Sequence, residues 1–409
     1  MSEFWTLVGF EYKKLFKRRM VWITLAVMLT LTVFSAVAPL IGGVYVDGQR
    51  VEGTWEMNAR DMAYAKALSG TPLNEENLKK VREAYKQLPE GTVFVSAVEV
   101  FDKYAAPYQE LWDMAVQMSP TSEGRDNIYF PAEKLYEMRR AYQEASWERD
   151  YFTEGEKEEL RARDAQVQKP FVYEYSESWK NIMDMFLTLG VMQVLAVSVC
   201  VPMIFSEEHS RKTRALILCT PRGKKMLYKA KAFTACSFSI AVTLAMIAAA
   251  AVPTFFIYGA EGFGAQIQNH DPLAPWHLRV GQAVLIMVGI SVAAALIHGA
   301  FLAVLAEKTR SALIPMALLV GLLIAGQVVN IPAYLRVLSK LWSGLPTNMV
   351  AYWNVFSDYL YSLFGHYFTT WQVIPAVYVL AGAAMLWIGG KIYRRADKVE
   401  EKQGFGYNK

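Results

Sequence analysis

Apolar runs long enough to cross a membrane recur along the chain, separated by short basic stretches and, once, by a long polar block. The first run is residues 21–46, from Val21 to Val46, with Pro39 and the Gly42–Gly43 pair loosening its far end. Later runs cover Ile182 to Phe205, with Pro202 near one end, then Ala232 to Tyr258, Val280 to Leu305, Ala312 to Ile331, and Val373 to Tyr393. A helix needs about 20 apolar residues to cross about 30 Å of hydrocarbon. The pattern therefore predicts an all-α integral membrane protein of six transmembrane helices, spans two to six lying within residues 179–393. The third run carries Ala241, Ala245, Ala248 and Ala249, small side chains that let helices approach closely in lipid.

Residues 1–20 read differently. Phe4, Leu7, Val8, Tyr12, Leu15 and Phe16 fall near helical spacing among Glu3, Glu11, Lys13, Lys14, Lys17, Arg18 and Arg19, which predicts an amphipathic helix in the headgroup layer. The apolar run that follows is too long for a signal-peptide core, and no small-residue cleavage motif follows it. Between the first two spans, residues 47–178 are polar and acidic and mostly helical in pattern. Expected helices run from Asn74, a cap with Glu75 and Glu76 in the first turn, to Leu88, and over 98–118, 132–151 and 154–167. Tyr104, Tyr108, Leu111, Trp112, Leu135, Tyr136, Met138, Tyr142 and Trp147 supply a core for a helical extracytoplasmic domain.

Composition sharpens the membrane reading. Hydrophobic residues make up 54% and charged residues only 20% of the chain, and the charges are segregated rather than mixed. The net charge of +4 averages an acidic block against basic clusters. Each cluster abuts an apolar run, so the positive-inside rule explains it better than nucleic-acid binding. The N-terminal cluster, Arg211 to Lys231, Lys308 with Arg310, and Lys391 to Lys398 fall on one side. Both termini, with the tail 394–409, are therefore expected in the cytoplasm of a bacterial cell, the acidic block outside the plasma membrane. Cys200, Cys219 and Cys236 lie in or beside apolar runs, so no disulfide framework holds the polar block.

The chain carries no G-x-x-x-x-G-K-[ST] phosphate loop, no H-E-x-x-H helix and no G-x-S-x-G elbow. Its apolar runs hold almost no ionisable residue of the kind that gradient-driven transporters keep; His298 is the main exception, read as a packed histidine, with Asp184 and Glu307 near span ends. His270, Asp271 and His277 share a loop in no metal-ligand spacing and read as solvated. Uphill solute movement would need energy from a partner.

The loop 206–231 is the most specific stretch. It reads Glu207-Glu208-His209-Ser210-Arg211-Lys212-Thr213-Arg214-Ala215-Leu216-Ile217-Leu218-Cys219-Thr220-Pro221-Arg222-Gly223-Lys224-Lys225, then Lys229 and Lys231. Its short apolar centre between bases suits a small helix docking into a groove on another protein, with Pro221 and Gly223 making a turn. Together with the six-span plan, it resembles the inner loop of type-2 ABC exporter permeases. Glu208, Thr213, Leu216, Leu218, Thr220, Pro221, Gly223, Lys224 and Lys231 match; Lys212 replaces the usual Gly and Cys219 the usual Ser. The resemblance implies a permease subunit dimer, of identical or related chains, served by two copies of a cytoplasmic ABC ATPase. ATP and Mg would sit on that partner, with no cofactor, metal or catalytic residue on this chain. The family normally lacks so large an outer insert.

In that resemblance Glu207 to Lys224 couple to the ATPase, and the N-terminal helix bearing Phe4, Leu7, Tyr12 and Leu15 assists. The aromatic-rich segment 332–371 reads as interfacial anchoring or as short outer helices forming an exit gate, with Trp342, Trp353, Phe356, Tyr359 and Phe364 as gate residues. The expected function is ATP-driven export of a peptide, antimicrobial or amphiphile. The alternative is a sensing or resistance module whose outer domain binds an antibiotic or envelope precursor with little transport.

Overall fold

The computed structural model describes residues 3–46, 49–88, 99–119, 132–210 and 223–404. Among them helix dominates, and sheet is confined to three two-stranded antiparallel pairs. Five helices are long and apolar enough to cross a membrane: Arg19–Leu40, Glu177–Ser206, Met226–Tyr258, Val280–Thr309 and Thr370–Arg394. The chain is thus consistent with an all-α, multi-pass membrane protein, the helix being the only open structure that satisfies its own backbone in hydrocarbon.

The run expected as the fifth span forms a helix only over Leu313–Val328, 16 residues, or about 24 Å at 1.5 Å per residue. Val329 is already extended, and Pro332 biases Ile331 away from helical dihedrals, so the helix stops early. The first run is also shorter than its hydropathy. Helix α2 covers Arg19–Val37, Pro39 sits in a 3-10 turn, and Gly43–Val46 forms strand β1 against β2, Gln49–Gly53. Proline and paired glycines disfavour the helix there.

Helix α1 (Glu3–Phe16) precedes α2. After the polar block come α9 (Glu177–Cys200), α10 (Pro202–Ser210), α11 (Gly223–Tyr258), α12 (Val280–Thr309), α13 (Leu313–Val328) and, last, α16 (Thr370–Gly404). Helix α12 is apolar all round and packs against α9, α11, α13 and α16, as a central helix must. Ala241, Ala245 and Ala248 face outward rather than a neighbouring helix. The close approach lies elsewhere on α11, where Gly299 of α12 meets Ala235, Cys236 and Ser239. One apolar core joins α9, α10, α11, α12 and α13 through Val197, Phe205, Phe238, Met246, Leu302 and Leu319.

The polar block holds α3 (Thr54–Leu68), α4 (Glu75–Tyr85), α5 (Glu99–Tyr104), α6 (Gln109–Met118), α7 (Leu135–Arg149) and α8 (Glu154–Asp164). Asn74 caps α4, its Oδ1 accepting from the Asn77 amide at 3.0 Å. The helix expected over 98–118 is two helices, because a 3-10 turn at Ala106–Tyr108 carries Pro107. A core of Leu78, Val81, Leu111 and Phe171 surrounds Tyr85 stacked on Trp112 at 4.1 Å. Trp147, Phe152 and Leu160 leave that core and join Met183, Phe186, Trp276, Phe356 and Leu360, so the block and the spans share one packed interior.

Candidate functional site

The N-terminal helix, the end of α10 and the start of α11 meet at one end of the bundle around a buried ammonium. Lys231 is 1% exposed, yet its three donors are all used. Its Nζ lies 3.1 Å from Glu11 Oε2, 2.9 Å from Glu208 Oε1 and 2.6 Å from the Ile204 carbonyl. Lys14 closes the ring, 2.6 Å from Glu11 and 3.3 Å from Glu208. Burial works to raise the Glu208 pKa, but Lys231 and Lys14 outweigh it and hold the carboxyl below its usual range. Removing Lys231 would strand two buried carboxylates, at a cost of about 3–5 kcal/mol, whereas Lys14, at 42% exposure, adds less.

Helix α1 is bound to α11 along its length. Tyr12 pairs its hydroxyl with Ser237 at 2.8 Å, Phe4 and Trp5 meet Phe233 edge to face, and Phe16 meets Phe238. Leu15 is buried; Phe4, Leu7 and Tyr12 are half-buried on the same side, and Trp5 and Phe10 point outward. Hydrophobic periodicity selects that face, whereas the charge at its centre, Glu11, is invisible to an apolar pattern.

Helices α10 and α11 flank residues 211–222. Thr213, Leu216, Leu218, Thr220 and Pro221 lie outside the described residues. Glu207 lies in the last turn of α10, and Gly223 and Lys224 open α11. Of the expected coupling residues, the structure brings Glu208 into the buried cluster.

At the opposite end, segment 332–371 folds into α14 (Arg336–Ser343), α15 (Tyr352–Val355) and a hairpin of β5 (Leu360–Leu363) with β6 (His366–Thr369). Buried Asn348 organises the turn between the short helices. Its Nδ2 donates to the Trp342 carbonyl at 2.9 Å, and its own carbonyl accepts from Asn354 at 2.8 Å. A Cβ at Gly326 of α13 would collide with that side chain, so only glycine lets the turn seat there.

Two cavities open around this segment. An inner one of about 240 Å³ is lined by Leu187, Gln327, Asn330, Trp342 and Asn348; an outer one of about 390 Å³ by Trp147, Phe152, Ser339, Asp358 and Tyr359. They share Asn330, Ser343, Trp353 and Asn354, so together they run from beside α9 to the polar block. Trp342 lines the inner cavity and Trp353 lines both. Tyr359 walls the outer cavity, stacked on Phe152 and paired with Ser339 at 3.0 Å. Phe356 is buried beside it, its carbonyl accepting from Trp276 at 3.0 Å. Phe364 stands apart, fully exposed at the hairpin tip with φ of 53°.

The polar block grips this segment. Glu156, in the capping box of α8, accepts from Arg336 at 2.7 Å and Lys340 at 3.0 Å. Burial works to raise its pKa, but those cations and the Thr153 N–H override it and hold it at about 2. The Trp147 indole donates to Asp358 Oδ2 at 2.7 Å. Arg139, 1% exposed, donates to the Pro272 and Ala274 carbonyls and pairs with Asp164 at 2.7 Å. Sequence spacing could flag none of these partners, which lie far away along the chain.

Two of the histidines singled out by sequence have partners from other elements. His298 is buried with Nδ1 at 3.1 Å from Gln193 Oε1, and His270 Nε2 lies 3.3 Å from Asp184. Among the described residues no three metal-ligating side chains converge. The chain matches no family model, no curated protein and no solved structure.

Proposed function

We propose that the chain is the membrane-spanning permease subunit of an ATP-driven exporter, working with a separate ATPase and a second permease, identical or related. In this reading Leu313–Val328 is the fifth of six spans, its shortfall met by local thinning of the bilayer. Both termini face the cytoplasm of a bacterial cell, where the Lys- and Arg-rich span ends gather, and the polar block stands outside. A peptide, antimicrobial or amphiphile leaves past the aromatic segment.

The observation that carries this reading is the buried Lys231–Glu11–Glu208–Lys14 cluster. It ties the N-terminal helix to both helices that flank residues 211–222, so force applied to that loop reaches α1, α10 and α11 together. Such a junction suits a lever driven by a partner. The double variant L216D/L218D should lose the co-purifying ATPase in an affinity pull-down from native membrane while its spans stay folded by circular dichroism. An ATPase bearing a phosphate-loop motif, retained at wild-type stoichiometry, would refute the coupling role.

A further inference from the structure

An apolar groove of about 720 Å³ runs along the outside of the bundle between α1, α11, α12 and α16. Its size falls within the about 300–1,000 Å³ of ligand sites. Phe233, Leu296, Ala383 and Trp387 form its walls, and Lys229 and Arg394 line it as well. Both bases lie at the end of the bundle where the buried Lys231 cluster sits. Arg394 Nε donates to the Gly390 carbonyl of its own helix at 3.0 Å, which holds the guanidinium against the groove wall. Lys391, about one helical turn before Arg394, has its ammonium 3.2 Å from the Trp387 ring centroid and adds a third positive charge.

The charge pattern selects the occupant. Among the described residues no carboxylate is paired with Lys229, Lys391 or Arg394. A wholly apolar groove would take any acyl chain, and a protein helix docking there would need acidic groups at one end only. Basic pockets between transmembrane helices at a membrane face bind anionic head groups. We infer that this groove holds one anionic phospholipid, its acyl chain along α11 and α16 and its phosphate between Lys229 and Arg394. The site is separate from the two cavities at the opposite end and needs no ATPase.

The test is native mass spectrometry of the full chain, purified and exposed to dioleoyl phosphatidylglycerol or dioleoyl phosphatidylcholine. Wild type should retain the anionic lipid roughly 25-fold better, two basic contacts each contributing about fivefold. K229E/R394E, changes at exposed positions, should abolish that preference without shifting thermal unfolding. A383W, also exposed, should fill the groove and lower retention of both lipids. Unchanged preference in K229E/R394E overturns the inference. So does an A383W chain that keeps its lipid and instead passes from dimer to monomer, which would mean that a second copy covers the groove. Neither readout involves transport, so this site and the exporter reading stand or fall separately.

Discussion

Asp358 is a carboxyl in the wall of the outer cavity with an indole N–H as its hydrogen-bond donor. Burial pushes its pKa up to about 7, against the pull of the Trp147 hydrogen bond; Asp271 and Asp150 push the same way, and Arg139 opposes them. A group whose pKa rises on folding contributes stability below its unfolded value of 3.8, and that contribution is lost as pH climbs through about 7. The melting temperature of the full chain should therefore fall between pH 4 and pH 7.5 by a component that D358N removes. A D358N chain with the wild-type pH profile would show that the carboxyl ionises freely. Nothing in the local sequence separates Asp358 from an ordinary loop aspartate, since its neighbour Trp147 is 211 residues away.

At the scale of elements, one contact decides how close two spans come. A Cβ at Gly299 would sit 2.9 Å from Ser239 Oγ and 3.0 Å from the Ala235 carbonyl, and backbone cannot swing aside as a flexible side chain can. G299V should force α11 and α12 apart and cost about 1–3 kcal/mol or more, as overpacking does. Thermal unfolding in detergent measures it, and A245V on the outward face of α11 is the control expected to leave stability unchanged. The alanine run was legible as a stripe of small residues, but its direction was not, because periodicity places residues on one face without saying what that face meets. Helix existence followed well from apolar runs and from Asn74 as a cap. The far end of the first helix was marked by Pro39, but the breaks near Pro107 and Pro332 were not, because hydropathy runs on through both.

Over the whole molecule, the polar block and the aromatic segment are joined by Glu156 to Arg336 and Lys340. A carboxyl held at about 2 contributes stability above its unfolded value of 4.5 and loses it as pH falls toward 2. E156Q should loosen α14 at neutral pH, read as faster amide exchange over 336–343 with exchange in α12 unchanged; equal protection in both chains would remove the latch. The sequence separated the polar block from the spans by charge density alone. It could not show that Trp147, Phe152 and Leu160 pack with Met183 and Phe186, because charge density reports on surfaces and not on shared interiors.

The early end of α13 also bears on where water goes. In the six-span reading its backbone stops about 6 Å short of a bilayer core of about 30 Å, with the polar side chain of Gln327 in its last turn and that of Asn330 just beyond. Placed at that depth, both would need hydration where the neighbouring helices meet only hydrocarbon. The inner cavity, which both residues line, would supply it, so the dielectric boundary would dip inward along one flank of the bundle. A charged solute on that flank would then meet a thinner insulating layer than the lipid around it presents.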